Sequence, residues 1–386
     1  MNSPSLLKLD STEERIQLLR KKSKPFFNRA EKHDRNGTFP KENIADLKAI
    51  DYHALTIPKK YGGKEISLYE MVRLQETIAE FDGATSLSIG WHLGIIKNLS
   101  ERRNWDEDTY AELCKEVVKK GALINAAATE PDTGSPTRGG RPTTIARKVG
   151  NEWSITGRKT FTTMSPVLDF FLVSASIDKT EQVGNFLIPR TSEGLTIDET
   201  WDMMAMRATG SHDLVLNSVR VNDSRLVEYL TPGEKPAAGW LLHIPACYLG
   251  IAKGAQAYAI QFAKSYSPNS IEGTISDLPN VKQKIGEIEL LLQQSSHFLY
   301  AISKAWDESD EQQRQQMKPE LGAVKHCVTN QAIKAVDLAM RIVGAHSLSN
   351  ERPLQRYYRD VRAGLHNPPM DDMTIMMLAA TAMNRM

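Results

Sequence analysis

Three regimes of apolar spacing follow one another along the chain. From Ser11 to about Ala122 apolar residues recur at helical intervals. Thr12-Glu-Glu-Arg-Ile-Gln-Leu-Leu-Arg reads as an amphipathic start, with Ser11 or Thr12 as N-cap and acids in the first turn. Pro40 opens a further helix through Ile44, Leu47 and Ile50, and Thr56-Ile-Pro-Lys-Lys-Tyr-Gly-Gly breaks the pattern as a loop. Tyr69 to Ala79 is helical again, Phe81-Asp82-Gly83 ends it, and Ser86 to Leu99 is apolar around most of its surface, which places it in the interior.

Between Gly121 and about Val227 the period changes. Short runs such as Ile145-Ala-Arg-Lys-Val, Trp153-Ser-Ile-Thr and Phe170-Phe-Leu-Val-Ser-Ala are separated by Gly, Pro, Asn and Asp clusters, the pattern of many short strands. Helical spacing then returns over His243–Ala263, Val281–Trp306, Glu320–Val343 and Met370–Met383. The first of these is rich in Ala and Gly, which permits close helix packing, and four such helices read as an up-and-down bundle. The expected fold is therefore α+β in α–β–α order. It has a helical domain over 1–121, a small β-barrel or sandwich over 122–232, and a four-helix bundle over 233–386.

Composition narrows this little. The 386 residues suffice for two or three domains, and 48 Lys and Arg against 47 Asp and Glu give no bulk charge for nucleic acid or a membrane surface. No apolar run approaches the roughly 20 residues of a membrane span, and the first ten residues lack a signal-peptide core. Cys114, Cys247 and Cys327 are few and far apart, which suits a reducing cytoplasm and no metal site.

The chemically dense stretch is Ala128–Thr163. It opens Ala-Thr-Glu-Pro-Asp-Thr-Gly-Ser, turns through Arg138-Gly-Gly-Arg-Pro, and closes with Trp153-Ser-Ile-Thr-Gly-Arg-Lys-Thr-Phe-Thr-Thr. Its hydroxyls (Thr129, Thr133, Ser135, Thr162, Thr163) are either turn caps or a polar floor for a flat ligand. Thr129-Glu-Pro, Gly134-Ser135 and Gly157-x-Lys-x-Phe-x-Thr163 together resemble the middle-domain signature of the acyl-CoA dehydrogenase family, and the likeness extends over nearly the whole chain. That resemblance implies bound FAD. Ala128 and Thr129 would meet its pyrimidine edge, Ser135 its pyrophosphate or the substrate thioester, Phe161 its ring face and Thr163 its N5 edge. Arg207, within Met203–Asp213, would lie at the substrate mouth, and His92 is either a core histidine paired with a carbonyl or a group facing flavin or substrate. Arg341, Gly344 and Ala345 stand where the family binds the FAD of a neighbouring subunit, with Arg in place of Gln and Ala in place of Gly.

The resemblance fails at the base. The family abstracts a substrate α-proton with a Glu, and the two positions that supply it here read Pro368 and Trp240. Asp371 and Asp372 lie three and four residues beyond Pro368 and are candidate bases or first-turn charges. Leu365-His366-Asn367-Pro368 resembles a motif of flavin monooxygenases in the same superfamily, which makes His366 a candidate too. The resemblance thus implies an FAD-dependent acyl-CoA dehydrogenase that passes electrons to an electron-transfer flavoprotein, as a tetramer or dimer in the cytoplasm. The alternatives are a two-component flavin monooxygenase and a flavoprotein without dehydrogenase activity.

Overall fold

A computed structural model describes residues 4–133, 140–231 and 236–385. Helix α1 (Thr12–Asn36) starts where the pattern placed it. The Ser11 hydroxyl accepts from the Glu14 amide at 3.2 Å while Glu14 accepts from the Ser11 amide at 3.0 Å, a reciprocal capping box. Helices α2 (Lys41–Lys48), α3 (Leu68–Ala79), α4 (Gly83–Arg102) and α5 (Glu107–Lys120) complete the first block. Helix α4 begins three residues before the apolar run because the Asp82 carboxylate accepts from the Ala84 and Thr85 amides. Its interior placement is as expected: Leu87, Ile89, Leu93 and Ile96 are buried.

Among the described residues the middle block is one mixed sheet of eight strands: β1 (Ile124–Ala127), β2 (Ile145–Val149), β3 (Glu152–Lys159), β4 (Phe170–Ile177), β5 (Val183–Pro189), β6 (Leu195–Asp198), β7 (Asp213–Asn222) and β8 (Leu226–Leu230). The spatial order is β6-β7-β3-β2-β4-β5-β8. β1 and β2 both run parallel to β4, β1 against Phe170–Val173 and β2 against Ser176–Ile177. Glu130 follows the end of β1, and Thr143 and Thr144 precede the start of β2. A register shift between Ile155 and Gly157 bends β3 against β7.

The last block holds α6 (His243–Ser265), α7 (Pro279–Glu308), the short α8 (Glu311–Gln316), α9 (Lys318–Val343), α10 (Pro353–Ala363) and α11 (Asp371–Met383). α6, α7 and α9 pack on one another, and α3 of the first block leans on α6 and α7. The close approach foreseen from small residues occurs there: a Cβ on Gly250 would lie 2.3 Å from the Glu76 carbonyl oxygen. α11 packs along α9 and leaves Ile375, Met376 and Met383 exposed. The larger of two apolar cores runs through all three blocks, from Leu19 and Phe26 through Ile155 and Phe171 to Leu299 and Val336; a smaller one gathers Ile57, Leu113 and Leu172. No helix among the described residues is long and apolar enough to cross a membrane.

Candidate functional site

The Thr129–Thr163 stretch is organised from below by a buried charge pair. Glu130 and Lys159 side chains are both fully buried, with Nζ to Oε1 at 2.6 Å. Glu130 also accepts from the Thr143 amide at 2.6 Å and hydroxyl at 2.8 Å, and from the Thr144 amide at 3.0 Å and hydroxyl at 2.6 Å. Burial alone raises a carboxyl pKa, but the ammonium and these donors outweigh it and hold Glu130 down at about 2. The glycine of the Gly-x-Lys motif has a steric cause. A Cβ on Gly157 would lie 2.3 Å from the Thr144 hydroxyl, the same hydroxyl that Glu130 holds.

Above that pair the chain leaves β3 in a tight turn. The Thr160 amide donates to the Thr129 carbonyl at 2.8 Å, which brings the Ala128–Thr129 end of the β1 segment beside Phe161. The Thr162 amide donates to the His212 carbonyl at 3.1 Å and the Met164 amide to the Thr209 carbonyl at 2.9 Å. Phe161 and Met164 occupy the left-handed region, at φ 55° and 67°, a conformation that a bulky side chain adopts only when its surroundings enforce it. Phe161 is nevertheless 53 % exposed, touching Trp201 edge-on at 5.8 Å. Thr163 and Ser211 hydroxyls lie 2.9 Å apart, and Ser211 reaches Thr209 at 2.8 Å. The buried hydroxyls of Thr160 and Thr162 have no hydrogen-bond partner, and an unsatisfied buried polar group calls for an explanation.

Four of the five middle-domain candidates, Ala128, Thr129, Phe161 and Thr163, are thus brought together; Ser135 lies outside the described residues. An exposed aromatic face, half-buried Ala128 and Thr129, a hydroxyl chain and two orphaned hydroxyls fit the donor and wall requirements of an isoalloxazine. Sequence reasoning passed over Thr209 and Ser211, although the Met203–Asp213 segment was already in view.

Arg207 ties the middle block to the first rather than standing free. Its Nε donates to the Asp34 carbonyl at 2.8 Å, and it shares a cavity of about 490 Å³ with Gln355 and Arg359. Arg359 forks onto the Asp34 carboxylate and donates to the Met204 carbonyl at 2.6 Å, while Asp360 accepts from the Met206 amide at 2.6 Å. Burial, reinforced by nearby Asp34 and opposed by the Met206 amide, Arg356 and Arg359, lifts the Asp360 carboxyl to about 7. The Arg359-Asp360 dipeptide is a clamp on the Met203–Arg207 loop.

The remaining candidates lie elsewhere. His92 is fully buried; its Nε2–H donates to the His53 carbonyl at 3.0 Å and its Nδ1 accepts from the Ile124 amide at 3.1 Å. Both ring nitrogens are engaged by backbone, which fixes the neutral tautomer, and burial holds the ring's pKa at about 3. That arrangement is a seam between α4 and β1 and leaves no nitrogen for a flavin or substrate. Asp371, the first residue of α11, accepts from Lys325 at 3.3 Å and Asn330 at 2.9 Å and pairs with His326 at 3.2 Å. Asp372 is exposed and accepts from the Met373 amide at 2.8 Å. His366 is exposed, and its neighbour Asn367 accepts from the Tyr248 hydroxyl at 2.5 Å, a contact no local pattern announces. Arg341, Gly344 and Ala345 form an exposed patch at the end of α9, with Arg341 paired to Asp337 at 2.7 Å. Among the described residues no cluster of His, Cys, Asp and Glu could hold a metal ion.

Comparison with known proteins gives consistent matches along the chain. The N-terminal, middle and C-terminal domain models of acyl-CoA dehydrogenases match residues 14–102, 125–219 and 242–367. A protein of Bacillus subtilis (strain 168), provisionally named acyl-CoA dehydrogenase YdbM, is 56% identical over 92% of this chain and 93% of its own length. FMN-bound TdsC from Paenibacillus sp. A11-2, a dibenzothiophene monooxygenase, superposes with a TM-score of 0.86 at 22% identity, over 96% of this chain and 97% of that one. Butyryl-CoA dehydrogenase from Megasphaera elsdenii superposes with a TM-score of 0.83 at 18% identity, over 97% and 99%.

Proposed function

Because the chain belongs to the acyl-CoA dehydrogenase family, we propose that it is a flavin-dependent oxidoreductase that seats the isoalloxazine against Phe161, between Ala128–Thr129 and Thr163. A bound flavin supplies hydride acceptance when oxidised and oxygen activation when reduced. Between those chemistries, the state of the acids favours the second, a monooxygenase working on reduced flavin. The carrying observation is Asp371. It is held by a lysine, a histidine and an asparagine, and these hydrogen bonds and charges outweigh its partial burial to keep its pKa below the ordinary carboxylate value. A base so stabilised as the anion accepts a proton poorly. The two positions where the family carries its Glu are Pro368 and Trp240, the latter packed against Trp91 and His243. Neither side chain takes up a proton.

The dehydrogenase reading is carried by the 56% identical relative's provisional name. In it the protein binds FAD, with Arg341, Gly344 and Ala345 reaching the cofactor of a neighbouring subunit in a dimer or tetramer. An acyl-CoA thioester is oxidised at its α,β bond, Asp371 or Asp372 takes the proton, and electrons pass to an electron-transfer flavoprotein. One pair of measurements separates the readings. The flavin-loaded protein is titrated anaerobically with a panel of acyl-CoA thioesters, and, separately, oxygen consumption is followed with reduced flavin and candidate organic substrates. The proposal expects no bleaching in the first and substrate-dependent oxygen uptake with oxygenated product in the second. Bleaching that Asp371→Asn or Asp372→Asn abolishes establishes the dehydrogenase instead.

A further inference from the structure

The hydroxyls behind the Phe161 turn satisfy all their contacts in one direction only. Thr163 and Ser211 lie 2.9 Å apart, and Ser211 and Thr209 lie 2.8 Å apart. The row ends inward on the Met206 carbonyl, to which the Thr209 hydroxyl donates at 3.0 Å. A carbonyl oxygen only accepts, and each hydroxyl has a single proton to give. With the Thr209 proton spent on Met206, the Thr209 oxygen takes the Ser211 proton and the Ser211 oxygen takes the Thr163 proton. In the reverse order the Thr209 oxygen would face the Met206 carbonyl at 3.0 Å with no proton between them. That order has one hydrogen bond fewer among buried groups, and so it loses.

The inward end of the row is firmly held. Met206 is buried in the left-handed region, at φ 51° and ψ 37°. Its carbonyl also accepts from the Trp201 indole at 3.0 Å and the Thr209 amide at 3.1 Å, and its own amide donates to Asp360 at 2.6 Å. Thr209 and Ser211 are buried and Thr163 is half-buried, so the row runs from the interior out to the turn. With its one proton given to Ser211, the Thr163 hydroxyl offers only lone pairs to whatever lies on the turn.

We propose that this row makes Thr163 a hydrogen-bond acceptor toward the flavin and thereby biases the site toward the reduced cofactor; the proposal rests on an isoalloxazine seated against Phe161 and Thr163. The N5 position of oxidised isoalloxazine is an acceptor, whereas the same position of the dihydro form carries an N–H. An acceptor at Thr163 complements the reduced form and sets lone pair against lone pair in the oxidised one. Such a bias suits a protein that takes up reduced flavin as the reductant for oxygen.

The test is anaerobic titration with oxidised and reduced FMN, and with oxidised and reduced FAD, of wild type and of variants that leave Thr163 in place. Wild type is expected to bind the reduced form more tightly. Ser211→Ala and Thr209→Val each free the Thr163 proton to turn outward. Each is expected to lower the ratio of reduced to oxidised affinity about fivefold, the worth of one neutral hydrogen bond, or about 20 mV in a two-electron midpoint potential. A merely structural role would weaken both forms together and leave that ratio unmoved. Thr163→Val is expected to abolish the bias and to make a further Ser211→Ala silent in the ratio. The proposal is overturned if wild type binds the oxidised form as tightly as the reduced one, if Ser211→Ala keeps the wild-type ratio, or if Ser211→Ala still moves it in the Thr163→Val background. Should Ser211→Ala fail to fold, the same ratio in Thr209→Val decides. Wild type that binds neither form of either flavin overturns the flavin seat and this proposal with it; binding with an unmoved ratio overturns this proposal alone.

Discussion

The β3 turn and the Gly364–Asp372 segment make an instructive pair, because each holds a carboxylate and the two are treated in opposite ways. Under the turn, Glu130 is fully buried and given Lys159 and two threonines, so its charge is neutralised beneath the surface that faces outward. What that surface presents is not charge but an exposed phenyl ring, with two orphaned hydroxyls buried beside it. In the C-terminal segment the acid lies at the surface layer, and Lys325, Asn330 and His326 quiet it there. The first carboxylate is therefore compensated in the interior and the second at the surface layer. What each carboxylate can do is set by its partners in space rather than by the fold it sits on.

The harshest way to break this comparison is Lys159→Met. It strands Glu130 as an uncompensated buried charge and should cost about 3–5 kcal/mol, read as a large fall in melting temperature. The same pair sets an acid limit. With its folded pKa depressed to about 2, Glu130 contributes stability that is fully present above the ordinary carboxylate range and is lost as pH falls toward 2. A wild-type melting temperature indifferent to pH between 5 and 3, in a background where the lysine variant is also stable, would contradict the role assigned to the pair.

Phe161→Gly separates fold from function at the turn. Glycine relieves the positive φ, worth roughly 1 kcal/mol, so the melting temperature should rise slightly. Flavin affinity should fall about tenfold, through loss of the aromatic wall. Affinity unchanged in fluorescence titration would show that the ring does not bear on the cofactor.

Asp360 supplies a pH effect of opposite sign. Its folded pKa of about 7 exceeds the unfolded value, so the folded state is penalised progressively as pH rises from about 4 through 7. Asp360→Asn keeps an acceptor for the Met206 amide and should flatten that slope, so that the variant gains on wild type between pH 5 and pH 8 in paired thermal melts. Parallel curves would mean the carboxyl stays ionised through its arginines. Smallest of all, Asp371→Asn should cost about 1 kcal/mol in stability, the loss of one partly exposed charge-assisted contact, and leave oxygen uptake within about twofold of wild type. A collapse of turnover with flavin retained would reinstate the dehydrogenase reading.

Much of the architecture was legible in the chain's own pattern because apolar period reports burial face directly. Ser11 with Glu14 marked the start of α1, and the Ala and Gly positions of α6 marked a close helix contact that Gly250 makes with the Glu76 backbone. The separate α10 escaped because its buried face mixes Arg356 and Asp360 with Leu354, Tyr357 and Val361 and so lacks a plain apolar period. Of the candidate site, Phe161 and Thr163 were visible through the motif spacing, whereas Thr209 and Ser211 lie in the segment that carries Arg207, and only the fold brings their hydroxyls to Thr163. His92 shows the other limit. An apolar helix containing one histidine is compatible with a core role or a ligand role, and the bonds to His53 and Ile124 decided for the core.

By itself, then, the sequence determined the helical, sheet and helical order, the Gly-x-Lys-x-Phe-x-Thr platform, and the lack of glutamate at Pro368 and Trp240, since period, motif spacing and residue identity are properties of the linear chain. Tertiary structure alone decided that Glu130 and Lys159 neutralise each other and that Asp371 is quieted by α9. It also decided that Arg207 and Arg359 together join three blocks and that the Thr209 and Ser211 hydroxyls line up behind Thr163. Those outcomes depend on partners tens to hundreds of residues away, and the protonation and hydrogen bonding of a side chain follow from what surrounds it in space.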